Sequence, residues 1–180
     1  MSFELKIPEE EFRRRAAALT WLLCDVDGVL TDGRLYYGAG EPLVAFDIKD
    51  GLGLKLAQQA GLKVGVLSGR ASPSVAHRAA ELGLDAIILG RVDKRSAFAA
   101  LLQAEGLAAA AVAYVGDDLL DLPVLERCGL ALAPADACPE VRAAAQLVLE
   151  HRGGRGAVRE AVERLLGARG RWPPGDGAAQ

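Results

Sequence analysis

Apolar residues in this chain come in short blocks whose spacing alternates between two patterns. Blocks 19–24, 63–67, 86–89, 112–115, 130–133 and 147–149 are mostly apolar runs of strand length, broken only by Thr20 and by Lys63 at an edge, the pattern of strands buried on both faces. Between and after them, 52–59, 73–82, 94–104, 119–127, 139–145 and 158–166 repeat apolar residues at helical spacing, each as one face of an amphipathic helix. Regular strand–helix alternation predicts an α/β fold with a mostly parallel sheet flanked by helices. Two segments depart from this rhythm. Residues 34–37 and 43–46 bracket Gly38-Ala39-Gly40-Glu41-Pro42 and predict a β-hairpin over about 34–47. The last stretch, about 169–180, is rich in Pro and Gly and predicts a flexible tail.

The blocks also place carboxylates. The first ends in Asp25-Val26-Asp27-Gly28 and the fourth in Gly116-Asp117-Asp118, with Asp121 close behind. In open α/β sheets ligands bind at the carboxyl ends of strands. Crowded carboxylates there repel unless a cation or proton is shared, and an oxygen-rich set suits Mg²⁺ completed by substrate phosphate. Taken singly, each cluster has a plain alternative: a solvated Asp-Gly turn, or acidic residues at a helix N-terminus. Two clusters on separate strands weaken both alternatives. Ser68-Gly69-Arg70 follows the second block, where a hydroxyl and backbone N–H groups can hold phosphate; a helix cap from Ser68 or Ser72 is the alternative. Lys94 opens a helix, the end where the dipole disfavours a cation. Facing phosphate and carboxylates would explain it; a solvated surface lysine is the alternative.

Composition sets outer bounds. A chain of 180 residues, 51% hydrophobic and 25% charged, fits one globular domain over 1–180. A net charge of -3 and a pI near 5.5 argue against general nucleic-acid binding. Cys24, Cys128 and Cys138 lack metal-ligand spacing and read as buried thiols in a reducing compartment. With no signal peptide or membrane-length apolar run, the expectation is a cytoplasmic protein with no membrane or nucleic-acid partner.

In sequence order, Asp-x-Asp-Gly-x-Leu-Thr, Ser-Gly-Arg, Lys94 and Gly-Asp-Asp-x-x-Asp resemble the haloacid dehalogenase superfamily. The resemblance implies a Rossmann-like fold and a Mg²⁺-dependent phosphohydrolase. Asp25 would be the nucleophile and Asp27 the general acid/base. Ser68 and Lys94 would bind the transferring phosphoryl group. Asp25, Asp27 and Asp117 would surround the metal, with Asp118 and Asp121 behind them. Bacterial receiver domains use similar residues but place the acidic pair first and the phosphoacceptor on a later strand, the reverse of the order here.

Neither 31–67 nor 70–93 has room for an inserted cap domain. An open site excludes water poorly, so either the substrate is macromolecular or neighbouring subunits form the lid. The apolar hairpin suits the second option, because an isolated hairpin is marginal in water; packing against its own domain is the alternative. Gly153-Gly154-Arg155-Gly156 reads as a flexible loop carrying one cation, Arg155. Together with Asp47-Ile48-Lys49-Asp50-Gly51 and Gly-Gly-Arg-Gly-Ala-Val-Arg-Glu, these motifs resemble the family of 3-deoxy-D-manno-octulosonate 8-phosphate (KDO 8-phosphate) phosphatases. That resemblance implies a capless homotetramer acting on a small phosphorylated sugar acid for lipopolysaccharide synthesis. Arg70, Gly69 and Arg155 would contact substrate. Phosphatases of nine-carbon sialic-acid-type phosphates tend to have Glu at the position of Arg70.

Overall fold

The structure, a computed structural model, describes residues 3–173. Its elements are β1 (Glu4–Leu5), α1 (Glu9–Ala18), β2 (Trp21–Cys24), α2 (Ile48–Gln59), β3 (Lys63–Leu67), α3 (Pro73–Glu81), β4 (Ala86–Ile88), α4 (Lys94–Glu105), β5 (Val112–Val115), α5 (Leu122–Leu125), β6 (Leu130–Ala133), α6 (Pro139–Ala144), β7 (Leu147–Val148) and α7 (Ala157–Ala168). The seven strands lie in the order β1-β7-β6-β5-β2-β3-β4. All pairings are parallel except β1 with β7.

Alternation along β2 explains the two-sided core. Leu22 and Cys24 face the layer containing Phe12 of α1, Leu54 of α2, Val75 of α3 and Val162 of α7. Trp21 and Leu23 face Phe98 of α4, Val124 of α5 and Val141 of α6. Successive strand residues point to opposite faces, so a strand covered on both sides must be apolar throughout, as β2, β5 and β6 are. Burial pushes the Cys24 thiol up and the Cys128 thiol up to about 12, so both are inert packing groups.

Local chemistry shifts several boundaries from the sequence expectation. α2 starts four residues before Leu52, because the Asp47 carboxylate accepts from the Lys49 N–H at 2.8 Å and caps it. The expected helix over 119–127 is a 3₁₀ turn, Leu119–Asp121, running into α5. The acidic and basic runs of α1 form i,i+4 pairs, Glu9–Arg13 and Glu11–Arg15, while Phe12 and Ala16 are buried. Segment 34–47 folds back at one residue pair, where Tyr36 and Leu43 exchange N–H···O bonds of 3.1 and 3.0 Å.

Of the tail expected from about 169, the first residues pack against the domain. The Arg171 N–H donates to Leu166 O at 2.8 Å, and Arg159 stacks 5.0 Å above the Trp172 ring. Residues 174–180 lie outside the described residues. No helix among the described residues is long and apolar enough to cross a membrane.

Candidate active site

Strand register brings the sequence motifs together. Cys24 is level with Val66 on one side and Val115 on the other. The next residues of the three central strands therefore emerge at one height: Asp25, Leu67-Ser68 and Gly116-Asp117. The Asp25 N–H extends the ladder by donating to Val115 O at 2.9 Å. The chain then winds tightly, with the N–H groups of Leu30 and Thr31 donating to Val26 O at 2.9 and 3.0 Å. Thr31 Oγ1 accepts from Gly33 N–H at 3.2 Å. Gly28 has φ 84°, and a Cβ there would lie 2.0 Å from Asp117 Oδ2. Only glycine lets this turn lie directly against the Asp117 carboxylate.

A buried polar network supports the floor. Lys94 is 3% exposed, which removes the surface-lysine alternative. Its Nζ lies 2.8 Å from Asp25 Oδ1 and 2.6 Å from Asp121 Oδ1. Burial alone would lower the Lys94 pKa, but the charges of Asp25 and Asp121 outweigh it and the net shift is upward; the amine stays charged. Asp121 is fully buried and has no unused capacity. Its Oδ1 also accepts from Tyr114 O–H at 2.6 Å, and its Oδ2 accepts from the N–H groups of Asp117 at 2.9 Å and Asp118 at 3.2 Å. Asp118 itself is exposed and caps the 3₁₀ turn through Leu119 N–H.

The acidic side chains group unevenly. Asp25, Asp117 and Asp121 offer carboxylate oxygens within 4.8 Å of one another, and Asp27 is not among them. The Asp27 carboxylate turns outward into a two-point ion pair with Arg70, whose Nε donates at 3.0 Å and whose Nη2 donates to the other oxygen. Since four donors saturate Asp121, its place is behind the cluster. Asp25 and Asp117 are the two carboxylates with capacity left for a cation.

Their electrostatics agree. Burial first, then the Asp121 charge, raises Asp25 to about 6 against the pull of Lys94. Burial first, then the charges of Asp25 and Asp121, raises Asp117 to about 8. Asp117 Oδ1 is buried without a hydrogen-bond partner among the described residues. An orphaned carboxyl oxygen beside a second crowded carboxylate is the donor set a hard divalent cation takes; the residues present fit Mg²⁺.

These groups line a cleft of about 360 Å³ together with Ser68, Gly69, Arg70 and Val92. Ser68 is buried, and its Oγ accepts from Arg70 N–H at 3.2 Å. Arg155 does not reach the cleft. Its side chain is 68% exposed, 3.6 Å from Asp32, in a small neighbouring hollow with Asp136 and Arg152. The expected flexibility of its loop is also corrected: Gly153 N–H donates to Asp136 and Gly154 N–H to Val29 O, both at 2.9 Å. Tyr114 is a site residue that sequence reasoning missed. Its only signal is a hydroxyl-bearing aromatic inside a strand otherwise made of Val and Ala.

Comparison with known proteins agrees with this geometry. Residues 52–129 match the haloacid dehalogenase-like hydrolase family. The chain is 44% identical over 154 residues to 3-deoxy-D-manno-octulosonate 8-phosphate phosphatase KdsC of Haemophilus influenzae, covering 85% of this chain and 86% of that protein. Against KdsC of Escherichia coli K12 the identity is 44% over 158 residues, 87% of this chain and 84% of that one. The crystal structure of the Moraxella catarrhalis phosphatase, in complex with magnesium, phosphate and KDO, superposes with a TM-score of 0.88 at 36% identity, covering 91% and 94% of the two chains.

Proposed function

The chain belongs to the 3-deoxy-D-manno-octulosonate 8-phosphate phosphatases of the haloacid dehalogenase-like hydrolases, and on that premise we propose that it is a Mg²⁺-dependent phosphatase converting KDO 8-phosphate to KDO and phosphate. The observation that carries this reading is the strand-end Asp25 carboxylate set between the Lys94 ammonium and the unpartnered oxygen of Asp117.

In the mechanism we infer, an Asp25 oxygen forms a bond to phosphorus while the bond from phosphorus to the sugar oxygen breaks, leaving an aspartyl-phosphate. Asp27 gives its proton to the departing sugar oxygen. It then takes a proton from the water that attacks phosphorus and releases Asp25. Lys94 and Ser68 hold the equatorial oxygens, where charge must be met by fixed donors. Mg²⁺, held by Asp25 and Asp117, offsets the repulsion between the carboxylate and the phosphate it meets. Asp121 and Tyr114 keep Lys94 and the Asp117 backbone in place.

Arg70 is positioned to exchange Asp27 for the sugar-acid carboxylate, a match of planar fork and oxyanion. Phosphatases of nine-carbon sialic-acid-type phosphates tend to have Glu at this position, so an arginine here favours the eight-carbon acid. The cleft is open, and Tyr36, Tyr37, Leu43, Ile48 and Leu52 are exposed apolar side chains. Both features support a homotetramer in which a neighbour closes each site. In that assembly Arg155 would serve at the mouth of an adjoining cleft rather than its own. The thiol-bearing, disulfide-free chain suits the cytoplasm.

Phosphate release from eight- and nine-carbon 2-keto-3-deoxy sugar phosphates, compared with and without Mg²⁺, tests this reading. Faster turnover of the eight-carbon ester is expected. Preference for the nine-carbon ester would reassign the substrate. A labelled aspartate without turnover would point to a receiver-like domain.

A further inference from the structure

Two stretches outside the catalytic set, 47–51 and 153–160, are bonded to each other. Asp50 lies in the first turn of α2 and is 1% exposed. Its Oδ1 accepts from Arg159 N–H at 2.8 Å and its Oδ2 from Gly156 N–H at 3.1 Å. The N-cap residue of α7 is Gly156, which has no side chain to cap the helix itself. A carboxylate from 106 residues earlier does so instead. Burying a carboxylate is costly unless its oxygens are hydrogen-bonded. Here the first N–H groups of α7 and its positive dipole end meet that need. On the other side of the loop, buried Glu160 accepts from the N–H groups of Glu150 at 2.9 Å and His151 at 3.0 Å. Loop 152–156 is thus gripped from both ends by carboxylates outside the catalytic set.

That loop presses on the metal site through backbone alone. Gly154 N–H donates to Val29 O at 2.9 Å. A Cβ on Gly153 would fall 1.7 Å from Gly28 O, and one on Gly154 would fall 2.4 Å from the Thr31 carbonyl carbon. Gly28 in turn lies directly against the Asp117 carboxylate. The packing leaves no slack between the α7 cap and the unpartnered Asp117 oxygen, and close-packed interiors transmit displacement.

We propose that Asp50 is a positioning residue for the metal centre: by capping α7 it holds loop 152–156 against the Gly28–Thr31 turn and so fixes where Asp117 meets the ion. Supporting groups behind metal ligands typically set affinity by about 10–100-fold. The proposal rests on the Mg²⁺ reading above.

The test is calorimetric titration of Mg²⁺ into metal-free full-length protein, alongside thermal unfolding, for the unaltered chain, Asp50→Asn, Glu160→Gln and Asp85→Ala. Asp85 ties Val64 N–H at 2.8 Å and Gln58 at 3.2 Å at the opposite end of the sheet, so its loss reports destabilisation alone. Asp50→Asn and Glu160→Gln should raise the Mg²⁺ Kd about tenfold. Asp85→Ala should melt lower with an unchanged Kd. If Asp50→Asn does not fold, Glu160→Gln decides. Unchanged Mg²⁺ affinity in the folded loop variants, or equal weakening by Asp85→Ala, would overturn the role of Asp50 and leave the Mg²⁺ reading standing. An unaltered protein that binds no Mg²⁺ would overturn both.

Discussion

Asp25 and Asp27 are two residues apart and have opposite surroundings. Asp25 is buried against Lys94, and Asp27 is held outward by Arg70. Asp25→Asn should abolish turnover in steady-state phosphate release while the protein remains folded. Asp27→Asn should cost about 10²-fold or more, the usual scale for a lost acid/base; near-normal rates for either would reject its role. Asp117→Ala should require far more Mg²⁺ or stay inactive at any concentration. Stability gives an independent check. Asp25 and Asp117 have pKa values raised above the ordinary 3.8 to about 6 and about 8. The stability they contribute to the metal-free fold is fully present below the ordinary value and lost as pH rises through the raised ones. The EDTA-treated protein should therefore melt lower at pH 8 than at pH 5.5. Mg²⁺ should raise Tm more at pH 8, and an Mg²⁺-induced shift independent of pH would contradict the cation site. At this scale the strand-end carboxylates and Lys94 were legible as candidates, because residue type and position suffice to nominate them, whereas their roles rest on the family resemblance. The hydrogen-bond environment that separates Asp27 from Asp121 was not legible. It depends on which donors each carboxylate finds after folding, and Tyr114 and Lys94 reach Asp121 across the sheet.

Among the elements, alternation predicted most of the strands and helices, since burial on both faces of a parallel sheet leaves so strong a pattern. What it missed was set by single side chains or by distant partners. Asp47 extends α2 backward by its cap. Removing it with Asp47→Ala should cost about 1 kcal/mol in urea unfolding; no change in midpoint would show the cap to be idle. β1 is two residues long and exists only as the antiparallel partner of β7, too short for any periodicity to show. The glycine loop at 153–156 looked flexible from composition. Its rigidity comes from Asp50, Asp136 and Val29, none of them adjacent in sequence.

For the whole molecule, an open cleft and a small anionic substrate call for a partner surface. Tyr37 is 79% exposed beside exposed Tyr36 and Leu43. Aspartate at Tyr37 or Val44 should lower the mass measured by light scattering and reduce turnover together. A fully active monomer would remove the tetramer from the account and favour a macromolecular phosphoester. The most direct test of the central claim is chemical capture of Asp25 during turnover. Protein quenched in acid while hydrolysing KDO 8-phosphate with Mg²⁺, then reduced with borohydride, should yield homoserine at position 25 by peptide mass spectrometry. Turnover with Asp25 unmodified, or with the phosphoryl group trapped on another residue, would contradict it.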